Sequence, residues 1–265
     1  MWSVFFGWGL CAHGATEEVQ EVWQLVADHL GRDAFTKLDS LKGPPSRERK
    51  FAEAVVAIDY QPVTQSRLHD AEAVFAELGK GDDEIAAASA YLQGRLYQIH
   101  FQTPDYAKAA EIYRELAARQ PHSHWAQLGL VKIGLLTLYA LPEPSAPADR
   151  IAAATKILPK LEEKELVRDL HLQLGRAGTF YEQPLEGVLP HLVEADHIGG
   201  LIGQAREELV VMIGELSLRA GQYAQSRAYF DRYLREYTYN MRLVTVQRRL
   251  RELGELEAKA KEAKP

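Results

Sequence analysis

Apolar residues return at every third or fourth position along most of this chain, the spacing that gathers them on one face of a helix. From Ala15 to Leu30 they fall at Val19, Val22, Trp23, Val26 and Leu30, and Gly31 is placed to end that helix. A short second helix is predicted from Asp33 to Lys42, before Gly43-Pro44-Pro45-Ser46 breaks the pattern. The period resumes from Arg47 to Tyr60 with Phe51, Val55 and Ile58, stops at Pro62, and returns from Thr64 to Leu78 with Ala71, Phe75 and Leu78. It runs again from Asp83 to Phe101, and then through Ala109, Tyr113 and Leu116. Trp125, Leu128, Leu135, Leu136 and Tyr139 write one more long helix, ended by the prolines of Leu141-Pro142-Glu143-Pro144-Ser145-Ala146-Pro147. Asp149 is placed to cap the return helix, which carries Ala154, Leu158 and Leu161. Pro184 suits the first turn of a helix carrying Val188, Leu192 and Ala195. After Gly199, Gly200 and Gly203 come two helices around the Gly221-Gln222-Tyr223 turn, one with Val210, Ile213, Gly214 and Ser217 inward, the other with Ser226, Phe230 and Tyr233. A last amphipathic helix is predicted from Met241 to Leu256, and residues 257–265 form a charged tail expected to fray.

The helices come in pairs, and the pairs carry a recurring signature. Trp125-x2-Leu128-Gly129-x2-Lys132 follows W-x2-L-G-x2-Y with Lys in the last place. Gly94 and Tyr97, Leu174 and Gly175, and Ile213 and Gly214 repeat parts of it, while Ala71/Phe75, Ala109/Tyr113 and Ser226/Phe230 give the A-x3-F step. Over residues 47–240 the chain therefore resembles the tetratricopeptide repeat superfamily. The equivalent positions Ala90, Trp125, His171 and Val210 stand 35, 46 and 39 residues apart, so the repeats are degenerate and carry inserted turns. The resemblance implies an all-α fold: a right-handed superhelix, or α-solenoid, of about five antiparallel helix pairs. Residues 15–43 form an N-terminal helical segment and residues 241–256 a terminal capping helix. Gly94, Gly129, Gly175 and Gly214 are expected where helices approach closely.

The resemblance also implies a concave surface lined by the first helix of each pair. Carried over position by position, its ligand-facing places give Tyr91, Arg95 and Gln98 in the second pair. They give Ser123, Ala126, Leu130 and Ile133 in the third, and Glu208, Glu215 and Arg219 in the fifth. A groove with an apolar centre and charged ends suits an extended or helical peptide. Paired Lys and Asn that clamp a C-terminal carboxylate in one subtype are missing from these positions. The alternative for the charged members is a merely solvated face.

Residues 1–14, MWSVFFGWGLCAHG, change the picture of where such a scaffold works. They are apolar, carry no Asp, Glu, Lys or Arg, and end in small residues before Ala15, which are signal-peptide features without the basic n-region. They predict export to the periplasm and a partner in an envelope assembly complex; Leu10 before the single cysteine, Cys11, departs from a lipobox. The alternative is a cytoplasmic adaptor with an apolar N-terminal cap. No other stretch is long and apolar enough to predict an integral membrane span. A net charge of −6 argues against general nucleic-acid binding, and Arg248, Arg249 and Arg251 are interleaved with Glu252 and Glu255. His122-Ser123-His124 lacks metal-ligand spacing, and no nucleophile elbow or phosphate-cradling glycine motif is present. No cofactor and no metal are expected. The chain reads as a non-enzymatic scaffold for a protein or peptide.

Overall fold

The computed structural model describes residues 17–262, so the signal-peptide expectation for residues 1–14 lies outside the described residues. Among the described residues there are thirteen α-helices and no strand, and helices adjacent in sequence pack on one another. The chain divides into two compact units, Met1–Leu136 and Thr137–Pro265. Among the described residues, no helix is long and apolar enough to cross a membrane.

The first unit is built from α1 (Glu17–Ala27), α2 (Gly31–Ser40), α3 (Arg47–Asp59), α4 (Gln65–Leu78), α5 (Glu84–Arg95) and α6 (Tyr106–Arg119), with α7 (His124–Tyr139) spanning the point of division. Beyond sequence neighbours, α1 touches α3 and α3 touches α5, so the first helices of successive pairs lie side by side. Polar caps fix where these helices begin. Ser46, Thr64, Asp83 and Asp105 each accept a hydrogen bond from a backbone N–H three residues on. Aromatic rings run through a core whose other members are mainly Ala, Leu and Val. Trp23 meets Phe51 at 5.6 Å between centroids and Phe51 meets Phe75 at 6.1 Å, while Tyr91 lies 5.7 Å from Tyr113 and 5.4 Å from Trp125.

Several ends differ from the periodic reading. Gly31 does not end the first helix; it begins α2. The stop is made by His29 at φ 59, with Leu30 N–H bonding Leu25 O and His29 N–H bonding Val26 O, a Schellman end. The helix expected to run to Phe101 is α-helical only to Arg95. Leu96–His100 is a π-helical turn, closed by Phe101 N–H on Leu96 O at 3.0 Å.

The second unit holds α8 (Pro147–Thr155), a 3-10 turn at Leu158–Lys160, α9 (Lys164–Phe180), α10 (Leu185–Ile198), α11 (Gly203–Arg219), α12 (Tyr223–Glu236) and α13 (Leu243–Glu262). Asp149 is not the cap of α8: Ala146 stands there, Pro147 opens the helix, and Asp149 sits in the first turn. Arg150 pins the proline loop instead, donating to Thr137 O at 2.9 Å and Leu141 O at 2.7 Å. Leu172, Val188, Leu192, Leu209 and Ile213 make one core, and Val210, Phe230, Tyr233 and Val246 a second that takes in α13. Burying each large apolar side chain stabilises by about 1.5–3 kcal/mol before entropy is counted. A Cβ on Gly175 would run into Leu192, and one on Gly214 would lie 2.6 Å from the Phe230 ring, so both glycines permit close helix approach. Two arginines of α13 are matched: Arg249 pairs with Glu215 at 2.9 Å and Glu252 at 2.8 Å, and Arg248 lies 3.8 Å from Glu252.

Candidate partner-binding site

Three of the residues that the resemblance assigns to ligand binding come together in the first unit, and they are buried. Tyr91 and Arg95 lie near the end of α5, and Gln98 lies on the π-helical turn that follows. Arg95 Nη1–H donates to Gln98 Oε1 at 2.8 Å, and the Tyr113 hydroxyl from α6 donates to the same oxygen at 3.0 Å. Arg95 Nε–H is buried and has no acceptor. The π turn supplies this register, because its wider winding moves Gln98 round the axis from where an α-helix would carry it. Tyr97 on the same turn donates to Glu72 of α4 at 2.7 Å.

Burial sets the charge state of the cluster. Desolvation pushes the Tyr91 phenol up to about 12, and raises Tyr113 well above the ordinary range. His100 is lowered to about 4, first by burial and then by the Arg95 cation beside it. Near neutral pH the cluster is thus one guanidinium among neutral phenols, an amide and a neutral imidazole. Trp125 closes one side against Tyr91, with its indole N–H donating to Glu84 at 2.6 Å.

The other predicted residues are placed differently. Leu130 is buried on α7, with Ala126 and Ile133, and Ser123 Oγ is buried without a hydrogen-bond partner. On α11, Glu208 accepts from Gln204 at 2.7 Å, Glu215 is held by Arg249, and Arg219 is exposed in the last turn. These three form no cluster with one another in the contacts described. Two residues outside the predicted set belong to the same cluster: Tyr113, through its hydroxyl, and His100, through the Arg95 cation beside it. The A-x3-F step marks Tyr113 as inward, but its hydroxyl partner has no sequence signal.

Two surface pockets and a histidine pair are also found among the described residues. A pocket of about 340 Å³ in the first unit is lined by Phe35, Tyr60, Arg49, Arg67 and Asp70, with Phe35 stacked on Tyr60 at 4.9 Å and Arg67 5.1 Å from the Tyr60 centroid. A pocket of about 200 Å³ in the second unit is flanked by Arg206 and Arg232, already paired with Glu236 at 2.9 Å and Asp196 at 2.6 Å. His171 on α9 and His191 on α10 meet Nδ1 to Nδ1 at 2.9 Å, and burial lowers the pKa of both. One ring must donate and the other accept. Among the described residues, no three His, Cys, Asp or Glu side chains gather as a metal site. Comparison with family models, with curated proteins and with solved structures returns no match for this chain.

Proposed function

We propose that this chain is a non-enzymatic scaffold that holds a peptide or protein partner on the first helices of a tetratricopeptide-like array. The helix pairs of each unit stack in the right-handed sense that the resemblance implies. One observation carries the reading: Arg95, Gln98 and Tyr113 form a hydrogen-bonded polar cluster with a spare donor, in a helix-pair core that needs only apolar filling. The side-by-side run of α1, α3 and α5 supports it, because it groups first helices together.

The test is capture from envelope and cytosolic fractions by the purified chain, followed by titration of the captured protein. The expected outcome is a saturable partner that Arg95→Met binds about tenfold more weakly, the loss of one charge-assisted contact. No enrichment over an unrelated helical protein would overturn the scaffold. A partner bound equally by Arg95→Met would keep the scaffold and remove α5 from its site. We further propose that the partner belongs to the bacterial cell envelope, on the apolar segment 1–14. A native N-terminus at Ala15 supports this, and one at Met1 supports the cytoplasmic adaptor.

A further inference from the structure

The histidine pair of the second unit joins α9 to α10 through two ring nitrogens that face each other. His171 Nδ1 and His191 Nδ1 stand 2.9 Å apart, with ring centroids 5.1 Å apart and ring planes at 47°. Packing fixes the backbones beneath them. Gly175, one turn after His171, admits Leu192, the neighbour of His191, and Gly178 admits Val188 from the turn before it. Burial lowers the pKa of both rings, so both are neutral near pH 7, the form that ligates a metal. Glu194, exposed and one turn after His191 on α10, brings negative charge to His171. Arg168, one turn before His171, is engaged with Asp169 at 2.7 Å and with Gly199 O at 3.1 Å, so its charge is already met.

We infer that His171 and His191 form a zinc(II) site that clips α9 to α10, with both Nδ1 atoms as ligands and Glu194 as the third. Tetrahedral zinc at about 2.0–2.1 Å from each nitrogen sets the nitrogens about 3.3 Å apart and the ring centroids about 5.2 Å apart. The rings therefore keep their places and turn until both lone pairs converge on the ion. A square-planar ion sets the centroids about 4.5 Å apart, and would have to draw the rings together over the tight Gly175–Leu192 contact. The Glu194 carboxylate stands outside the pair, and rotation of its exposed side chain closes the site, with water in the fourth place. Zinc replaces the proton that the two rings share. The donor ring gives up its Nδ1 proton and takes one up on Nε2, so it binds as the other neutral tautomer. The two histidines are 20 residues apart in sequence, so no local ligand spacing marks them. The site does not depend on where a partner binds.

The experiment is a titration of the full chain, freed of metal by a chelator and held near pH 7 in a buffer that does not bind zinc, with zinc chloride and separately with magnesium chloride. The readouts are Tm and the ring-nitrogen resonances of His171 and His191, assigned through the backbone. Expected are saturation at one zinc per chain, a shift of both Nδ1 resonances, and a Tm that rises with zinc and ignores magnesium. His171→Gln and His191→Gln each lose that Tm response, and Glu194→Gln needs about tenfold more zinc for the same rise. Nδ1 resonances that zinc leaves in place overturn the inference, and so does a Tm that zinc does not raise. An equal Tm response in His171→Gln and His191→Gln overturns it as well, since the ion would then sit on other histidines. An equal response to magnesium does the same. An unchanged zinc requirement in Glu194→Gln overturns the assignment of the third ligand. If a glutamine variant fails to fold, the resonances of the unsubstituted chain decide alone.

Discussion

Tyr113 lies between two glycines that the repeat pattern treats alike, and the distances separate them. A Cβ on Gly94 would enter its ring, whereas one on Gly129 would sit 3.5 Å from its Cβ, an ordinary contact. Gly94→Ala is therefore expected to destabilise by about 1–2 kcal/mol, an overpacking cost partly offset by helix propensity. Gly129→Ala should be neutral or up to about 1 kcal/mol more stable. Urea melts of the two variants check the pair, and equal effects would sink this placement of Tyr113. His100 gives a pH prediction. Its folded form stays neutral down to about 4, while the unfolded chain takes up a proton at the ordinary histidine value, about 6.5. Between those values the unfolded state binds more protons, so stability falls as pH falls, by at most about 3 kcal/mol. His100→Gln should flatten part of that slope in melts between pH 7 and 4. The spacing of glycines and aromatics was legible in the sequence because packing needs those sizes at those intervals. The burial of Arg95 was not, since a helical face reveals a direction and not what covers it.

At the scale of the element, helix existence followed from periodicity and helix ends from chemistry that periodicity does not carry. Three helices stop in Schellman turns, at His29, Glu182 and Gly221, each with positive φ. Only Gly221 is a residue that adopts this conformation without strain. Glu182→Gly is expected to stabilise by up to about 1 kcal/mol, since it relieves a left-handed conformation at some cost in unfolded-chain entropy. Thermal melts read it, and a lower Tm would count against the turn. The π turn at Leu96–His100 had no sequence signal at all. It is held by what surrounds it, through the packing of α4 and α6 and the Tyr97–Glu72 hydrogen bond.

For the whole molecule, all four tryptophans fall within Met1–Leu136. Trp23 and Trp125, the tryptophans among the described residues, belong to the first unit, so their fluorescence reports on its core, whereas far-UV circular dichroism sees both units. If each unit unfolds on its own core, the two signals should give different urea midpoints. Gly214→Leu, which overfills the space against Phe230, should then move the dichroism curve and leave the fluorescence curve in place. Superimposable curves for both proteins would mean one cooperative block. The pairing of helices close in sequence bears also on birth. The core of the first unit is made from residues that precede Thr137, so a nascent chain leaving the ribosome can finish that unit before the last helices of the second have been translated.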